Sequence, residues 1–120
     1  MKIKYALSKE KAELLIRQYI NRIKRTIGLE LAIIFGSYAK GNYSWGSDID
    51  ILLVAKKLPK RLLDRQPILI EPNIPIQIDP FAYTPEEFEK MLKEKHPLII
   101  EALKNGKIIY SKGKTYTRLF

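Results

Sequence analysis

The chain has no cysteine. Disulfides, thiolate zinc sites and cysteine nucleophiles are therefore excluded. It has a single histidine, His96. No apolar run approaches the roughly 20 residues needed to span a bilayer. The opening MKIKYALSKEKAE lacks the apolar core of a signal peptide. These absences lead to the expectation of a soluble, cytoplasmic protein with no membrane partner. Acids are scarce too: 13 Asp plus Glu stand against 22 Lys plus Arg, a net charge of +9. Such a balance favours anionic partners (nucleotides, RNA or an acidic protein surface), although solubility alone also explains it.

What is present suits one globular domain over residues 1–120, with one core and a mobile tail over 111–120. Ser8 can cap a helix in which Ala12, Leu15, Ile16, Tyr19, Ile20, Ile23 and Ile27 recur at helical spacing, and Gly28 stops it. Residues 29–35 (LELAIIF) and 48–55 (DIDILLVA) read as strands, joined by a glycine- and serine-rich connection. The basic stretch 56–65 is expected to form a helix after Pro59. Pro67, Pro72 and Pro75 break up the stretch after it, and 76–81 reads as a third strand. Thr84-Pro85-Glu86-Glu87 is a capping box that starts a helix through about 95. A last helix over 98–104 and a strand over 107–110 close the chain. The order α-β-β-α-β-α-α-β indicates an α+β or α/β fold with a small mixed sheet.

The chemistry concentrates in residues 35–54, FGSYAKGNYSWGSDIDILLV. Asp48 and Asp50 are two apart on a strand, so their carboxylates share a face. Like charges that close repel, and a cation between them relieves it. With no Cys and one His, the candidates are hard ions held by oxygen, and Mg²⁺ fits a pair of carboxylates plus substrate phosphates. At the other end of the stretch, Gly36-Ser37 follows a strand, where backbone N–H groups favour phosphate. Gly36 allows close approach and the Ser37 hydroxyl can add a hydrogen bond. A phosphate cradle beside a metal site indicates phosphoryl or nucleotidyl transfer.

Gly36-Ser37, ten residues, then Asp48-Ile49-Asp50 resembles the GS-x10-DxD signature of the polymerase β-like nucleotidyltransferases. Gly36-Ser37-Tyr38-Ala39-Lys40-Gly41 and Ser47-Asp48-Ile49-Asp50 are similar to the GSxAxG and SDxD forms of the minimal nucleotidyltransferases. The four fixed positions alone would recur by chance in about one chain in a thousand of this length. The resemblance is sharp over 35–54 and softer over the rest.

The resemblance implies a nucleotidyltransferase palm with helices packed on one side of the sheet. It implies a third carboxylate on a neighbouring strand, for which Asp79 is the candidate, touching metal and acting as base toward an acceptor hydroxyl. Pro80 comes directly after it, and proline belongs at a strand end or edge. Two Mg²⁺ (Mn²⁺ as a substitute) would bridge Asp48, Asp50, Asp79 and the triphosphate. Gly36, Ser37, Lys40 and Ser47 form the phosphate-binding set, with Lys40 equally readable as a solvated lysine. Tyr38, Tyr43 and Trp45 could stack a base but more often such residues pack a loop. Lys56, Lys57, Lys60 and Arg61 could steer an anion or simply form a solvated face. His96 reads as structural.

The reaction so implied is transfer of a nucleoside monophosphate, AMP from ATP by preference, to an acceptor hydroxyl. Minimal members often pair with a helical HEPN-type protein as the antitoxin of a toxin–antitoxin system, so a partner chain or a second copy is expected to complete the acceptor site. Two other readings remain at this point: a non-catalytic module that masks a partner, and an RNA-binding or RNA-extending protein.

Overall fold

The computed structural model describes residues 9–36, 49–71, 74–113 and 116. Helix α1, Lys9–Ile27, is long because its apolar residues keep helical period for five turns. Ala12, Ile16, Tyr19, Ile20, Ile23 and Ile27 are buried, as the spacing predicts. Lys24 and Arg25 occupy its last turn, where cations complement the helix dipole. Gly28 then takes a positive φ of 62° and turns the chain into the sheet.

Among the described residues the sheet has four strands, of which the third and the fourth in chain order form its edges. Strands β1, Leu29–Phe35, and β2, Ile49–Ala55, are central and antiparallel. Each is buried at every position but one: Glu30 in β1 and Asp50 in β2. Strand β3, Ile78–Tyr83, runs parallel to β2 along one edge, and β4, Lys107–Ser111, runs antiparallel to β1 along the other. The mixed sheet agrees with expectation. Strand β3 begins two residues later than the pattern predicts, after bends at 74–76 around Pro75. Pro80 is tolerated inside it because β3 is an edge strand. Ile49 N–H donates to Gln77 C=O at 2.8 Å, and that phase turns the Pro80 nitrogen away from β2.

The expectation of helices on one side of the sheet is corrected. Ala32, Ile34, Ile51 and Leu53 pack in the cluster with α1. The alternate residues Leu31, Ile33, Leu52 and Val54 pack with Phe88, Ile99 and Ala102 of α3, Pro85–Lys93, and α4, Pro97–Asn105. Helices therefore cover both faces. The cause is legible in β1 and β2, whose near-continuous apolar runs leave neither face fit for water.

Local signals explain most of the remaining elements. Thr84 and Glu87 close the capping box reciprocally at α3. His96 caps α4, its Nδ1 accepting from Leu98 N–H at 3.2 Å, which agrees with a structural role. The basic stretch forms no long helix. It holds only a 3-10 turn, Leu62–Asp64, after Pro59, and a four-residue α2, Gln66–Leu69, with Pro67 in its first turn, follows it. The segment expected to be a mobile tail is held at two places. Ser111 ends β4, and the Tyr116 ring is buried edge-on to Phe88, with its hydroxyl donating to Glu30 at 2.8 Å. The physical reason is the apolar ring, which closes the cluster beneath α3. Among the described residues no helix is long and apolar enough to cross a membrane.

Candidate active site

The C-terminal end of β1 and the N-terminal ends of β2 and β3 meet at one end of the sheet. Asp50 pairs with Phe35 of β1 on one side and with Asp79 of β3 on the other. Directly paired residues point to the same face, so Phe35, Asp50 and Asp79 form a row across three strands, with neighbouring strands about 4.8 Å apart. The row lies on the face covered by α3 and α4. Behind it the rings of Phe35 and Phe81 sit with centroids 5.8 Å apart. Two half-buried carboxylates thus stand side by side at the rim of an apolar floor.

Gly36 takes a positive φ of 80°, and a Cβ built on it would intrude on Asp50 Oδ2. One reason for glycine here, expected from the motif, is the close approach of a phosphate. The fold supplies another: the Asp50 carboxylate occupies the space a side chain would need. Asp79 has a further neighbour that the sequence pattern did not single out. Gln77 Nε2 donates to its Oδ1 at 3.4 Å. The signal was available, because residues two apart along a strand share a face.

The structure thus brings Gly36, Asp50 and Asp79 together. Asp48, Ser37, Lys40 and Ser47 lie outside the described residues, as do Tyr38, Tyr43 and Trp45. Among the described residues no group of three His, Cys, Asp or Glu side chains could hold a metal. Asp50 and Asp79 still make a chemically consistent pair for a hard cation. They are oxygen donors, and their mutual repulsion falls when a divalent ion lies between them. No thiol exists to compete, and the one imidazole is engaged at the start of α4.

A cleft of about 410 Å³ lined by Glu10, Glu13, Leu14, Arg17 and Lys107 is a different place. There Glu13 pairs with both Lys107, at 2.6 Å, and Arg17, at 3.2 Å. The Lys107 ammonium holds the Glu13 carboxyl below its ordinary range. The charges of that cleft neutralise each other, which leaves little to attract an ionic substrate.

Comparison with known proteins fits this geometry. The family model described as polymerase beta, nucleotidyltransferase, matches residues 17–115, a span that holds Gly36, Asp50 and Asp79. The chain is 35% identical over 106 residues to the Methanocaldococcus jannaschii protein named "Putative protein adenylyltransferase MJ1305", covering 82% of this chain and 71% of that one. Among solved structures it is similar to a "putative nucleotidyltransferase from Sulfolobus solfataricus", with a TM-score of 0.63, 23% identity and coverage of 95% and 93% of the two chains. It is also similar to a chain of a toxin–antitoxin structure with AMP-PNP, with a TM-score of 0.58, 20% identity and coverage of 94% and 81%. These last two likenesses establish the fold.

Proposed function

From the premise that the chain belongs to the polymerase β family of nucleotidyltransferases, we propose that it transfers AMP from ATP to a hydroxyl on a partner protein. The observation that carries this reading is the pairing of Asp50 with Asp79 on adjacent strands beside Gly36. A pair of carboxylates held in register at the end of a sheet is costly to a protein that only binds. The reading of a module that masks a partner without catalysis is therefore disfavoured, and so is decay of the site.

In this proposal Asp48, Asp50 and Asp79 are the metal-holding set for Mg²⁺, with two ions expected and Mn²⁺ able to replace them. The ions would neutralise the triphosphate and the charge that develops on the leaving group. Gly36 and Ser37, with Lys40 and Ser47, would hold the β- and γ-phosphates. Asp79 accepts the proton of the acceptor hydroxyl. The acceptor oxygen bonds to the α-phosphorus, the bond from that phosphorus to the bridging oxygen of the β-phosphate breaks, and pyrophosphate leaves. The preference for ATP and for a protein acceptor draws on the adenylyltransferase relative. A partner of the HEPN kind is what the resemblance of Gly36-Ser37 and Asp48-Ile49-Asp50 to the minimal nucleotidyltransferases implies, and the fold is shared with a chain of a toxin–antitoxin structure. A role on RNA has only the net charge of +9 behind it.

The test is transfer of label from ATP, GTP, CTP and UTP, each labelled at the α-phosphate, in extract of the source organism with Mg²⁺. Asp50→Asn protein is the control. The reading expects label from ATP in a protease-sensitive band, absent with the control. Label in an RNase-sensitive fraction would replace it with the RNA reading. No transfer together with no divalent binding would leave the masking module.

A further inference from the structure

Arg65 is the one charged residue buried among the described core, with 2% of its surface exposed. Its guanidinium donates in three directions. Nε donates to Pro59 C=O at 2.7 Å and Nη2 to Lys60 C=O at 3.3 Å, both in the connection from β2 to β3. Nη1 donates to Ala82 C=O of β3 at 2.9 Å. Nη1 and Nη2 also grip both oxygens of Glu87 in α3, at 2.7 and 3.0 Å. Glu87 in turn accepts from Thr84 N–H at 2.9 Å, where β3 passes into α3. Burial of an arginine is costly without such pairing, and here the planar fork meets all its acceptors. The guanidinium holds the Glu87 carboxyl below its ordinary range.

Three segments thus converge on one side chain, and one of them is the strand that carries Asp79. Among the described residues strand β3 has a neighbouring strand on one side only. Its register against β2 decides whether Asp79 stands beside Asp50, since a slip of one residue would send Asp79 to the other face. The outward carbonyls of β3 are where an edge strand would otherwise be free to shift. Ala82 C=O is taken by Arg65, and Pro80 C=O accepts from Gln66 Nε2 at 3.4 Å. Pro80 itself removes a donor from that edge. The inner side of β3 is thus held by the ladder to β2, and carbonyls of its outer side are held by Arg65 and, at longer range, Gln66.

We propose that Arg65 is a positioning residue for the reaction: with Glu87 it clamps β3 from outside and so holds the Asp79 carboxylate beside Asp50. This rests on the reading of Asp79 as a metal-touching base. The clamp depends on fork geometry and not on charge alone. A lysine at 65 keeps the cation but offers one nitrogen where three acceptor directions need filling.

The experiment uses the full chain with Arg65→Lys, Glu87→Gln, Arg65→Ala and, as benchmark, Asp79→Asn. Three quantities are read below the melting range of each variant: hydrogen exchange at the amides of Asp79, Phe81 and Tyr83, Mn²⁺ affinity without nucleotide, and the split of kcat from KM for ATP. The proposal expects Arg65→Lys to speed exchange at those β3 amides at least tenfold while β1 and β4 are unchanged. It expects Mn²⁺ affinity to fall several-fold and kcat about tenfold, with KM for ATP within twofold. Glu87→Gln should show the same pattern more weakly. Arg65→Ala is the harsher version, and should it fail to fold the other two variants decide. A lowered melting temperature with β3 exchange, Mn²⁺ affinity and kcat all unaltered would overturn the proposal and leave Arg65 a purely structural residue. If Asp79→Asn itself leaves Mn²⁺ affinity and kcat intact, the reading of Asp79 fails instead, and the exchange data still report whether Arg65 clamps the strand.

Discussion

The two central strands each carry one acid, and the two acids meet opposite fates. Because β1 and β2 are antiparallel, Glu30 and Asp50 lie at opposite ends of the sheet. At its end Glu30 is compensated. Lys56 Nζ lies 3.2 Å from its Oε2, and the Tyr116 hydroxyl donates to Oε1 at 2.8 Å. Burial, reinforced by that carboxylate, pushes the Tyr116 phenol well above its ordinary range, so the donor keeps its proton. Lys24, Arg25, Lys57 and Lys112 crowd the same end by their places in the chain. At the other end Asp50 is set next to a second carboxylate. One acid is tied to a lysine and a tyrosine, and the other stands level with a second carboxylate. The contrast teaches that exposure and residue type alone do not tell two such acids apart. The identity of the neighbour across the strand does.

Substitution at the two acids should break the contrast most visibly. Asp50→Asn is expected to lower nucleotide transfer on the order of 10³-fold. Its melting temperature should stay near that of the parent, because the exchange keeps the size of the side chain. An equal loss of stability would show that Asp50 is structural like Glu30. Next in size is Gly36→Ala. The forced positive φ costs about 1–2 kcal/mol, and displacement of the Asp50 carboxylate should lower transfer about 10²-fold. Thermal melts and steady-state rates on the same sample check both. At the other end, Tyr116→Phe should cost about 1 kcal/mol by removing a part-buried hydrogen bond, with kcat unchanged. A fall in kcat would join two ends that the fold keeps apart.

A pH titration of stability tests the ion pair that holds the far end of β3. The folded-state carboxyl of Glu87 is held below the ordinary value of 4.5 by Arg65. Its contribution is therefore complete above 4.5 and is lost as pH falls below that value through the folded one. Glu87→Gln should flatten the acid limb of the melting curve there and leave the limb above 4.5 parallel to that of the parent. The smallest effect is expected from Lys56→Ala with Lys57→Ala. Strand β2 spans seven residues, so these lysines are roughly 20 Å from the carboxylates. Screening at physiological salt acts over about 8 Å. KM for ATP should change by less than twofold, and a larger change would restore the view of this cluster as a steering field.

Much of the fold is legible in the sequence because it is written locally. The helical stripe from Ala12 to Ile27, the capping box at Thr84 and Glu87, and the short apolar strands each carry their own signal. So does the pairing of a glycine with a distant aspartate, since a motif records spacing. The parts that are not legible depend on neighbours remote in sequence. That Asp79 stands level with Asp50 requires the register of a parallel edge strand, which no periodicity encodes. Arg65 reads as one more member of a basic stretch, and only the fold shows it buried, reaching residues 17 and 22 positions away. The layering is hard to judge for a related reason: near-continuous apolar strands report that both faces are covered, but not by what. Tyr116 sits in a polar tail, and its anchoring partners Glu30 and Phe88 are far away in the chain.

The contact between Gly36 and Asp50 has a bearing on how sequences of this kind can drift. The two positions are coupled by volume as well as by chemistry, because the same small space holds either a carboxylate oxygen or a methyl group. A descendant that acquires a side chain at 36 must move its acid, whereas one that loses the acid still needs a residue there that tolerates a φ of 80°. The pair is thus asymmetric in descent: the glycine can outlast the acid, whereas the acid cannot keep its place once the glycine is gone.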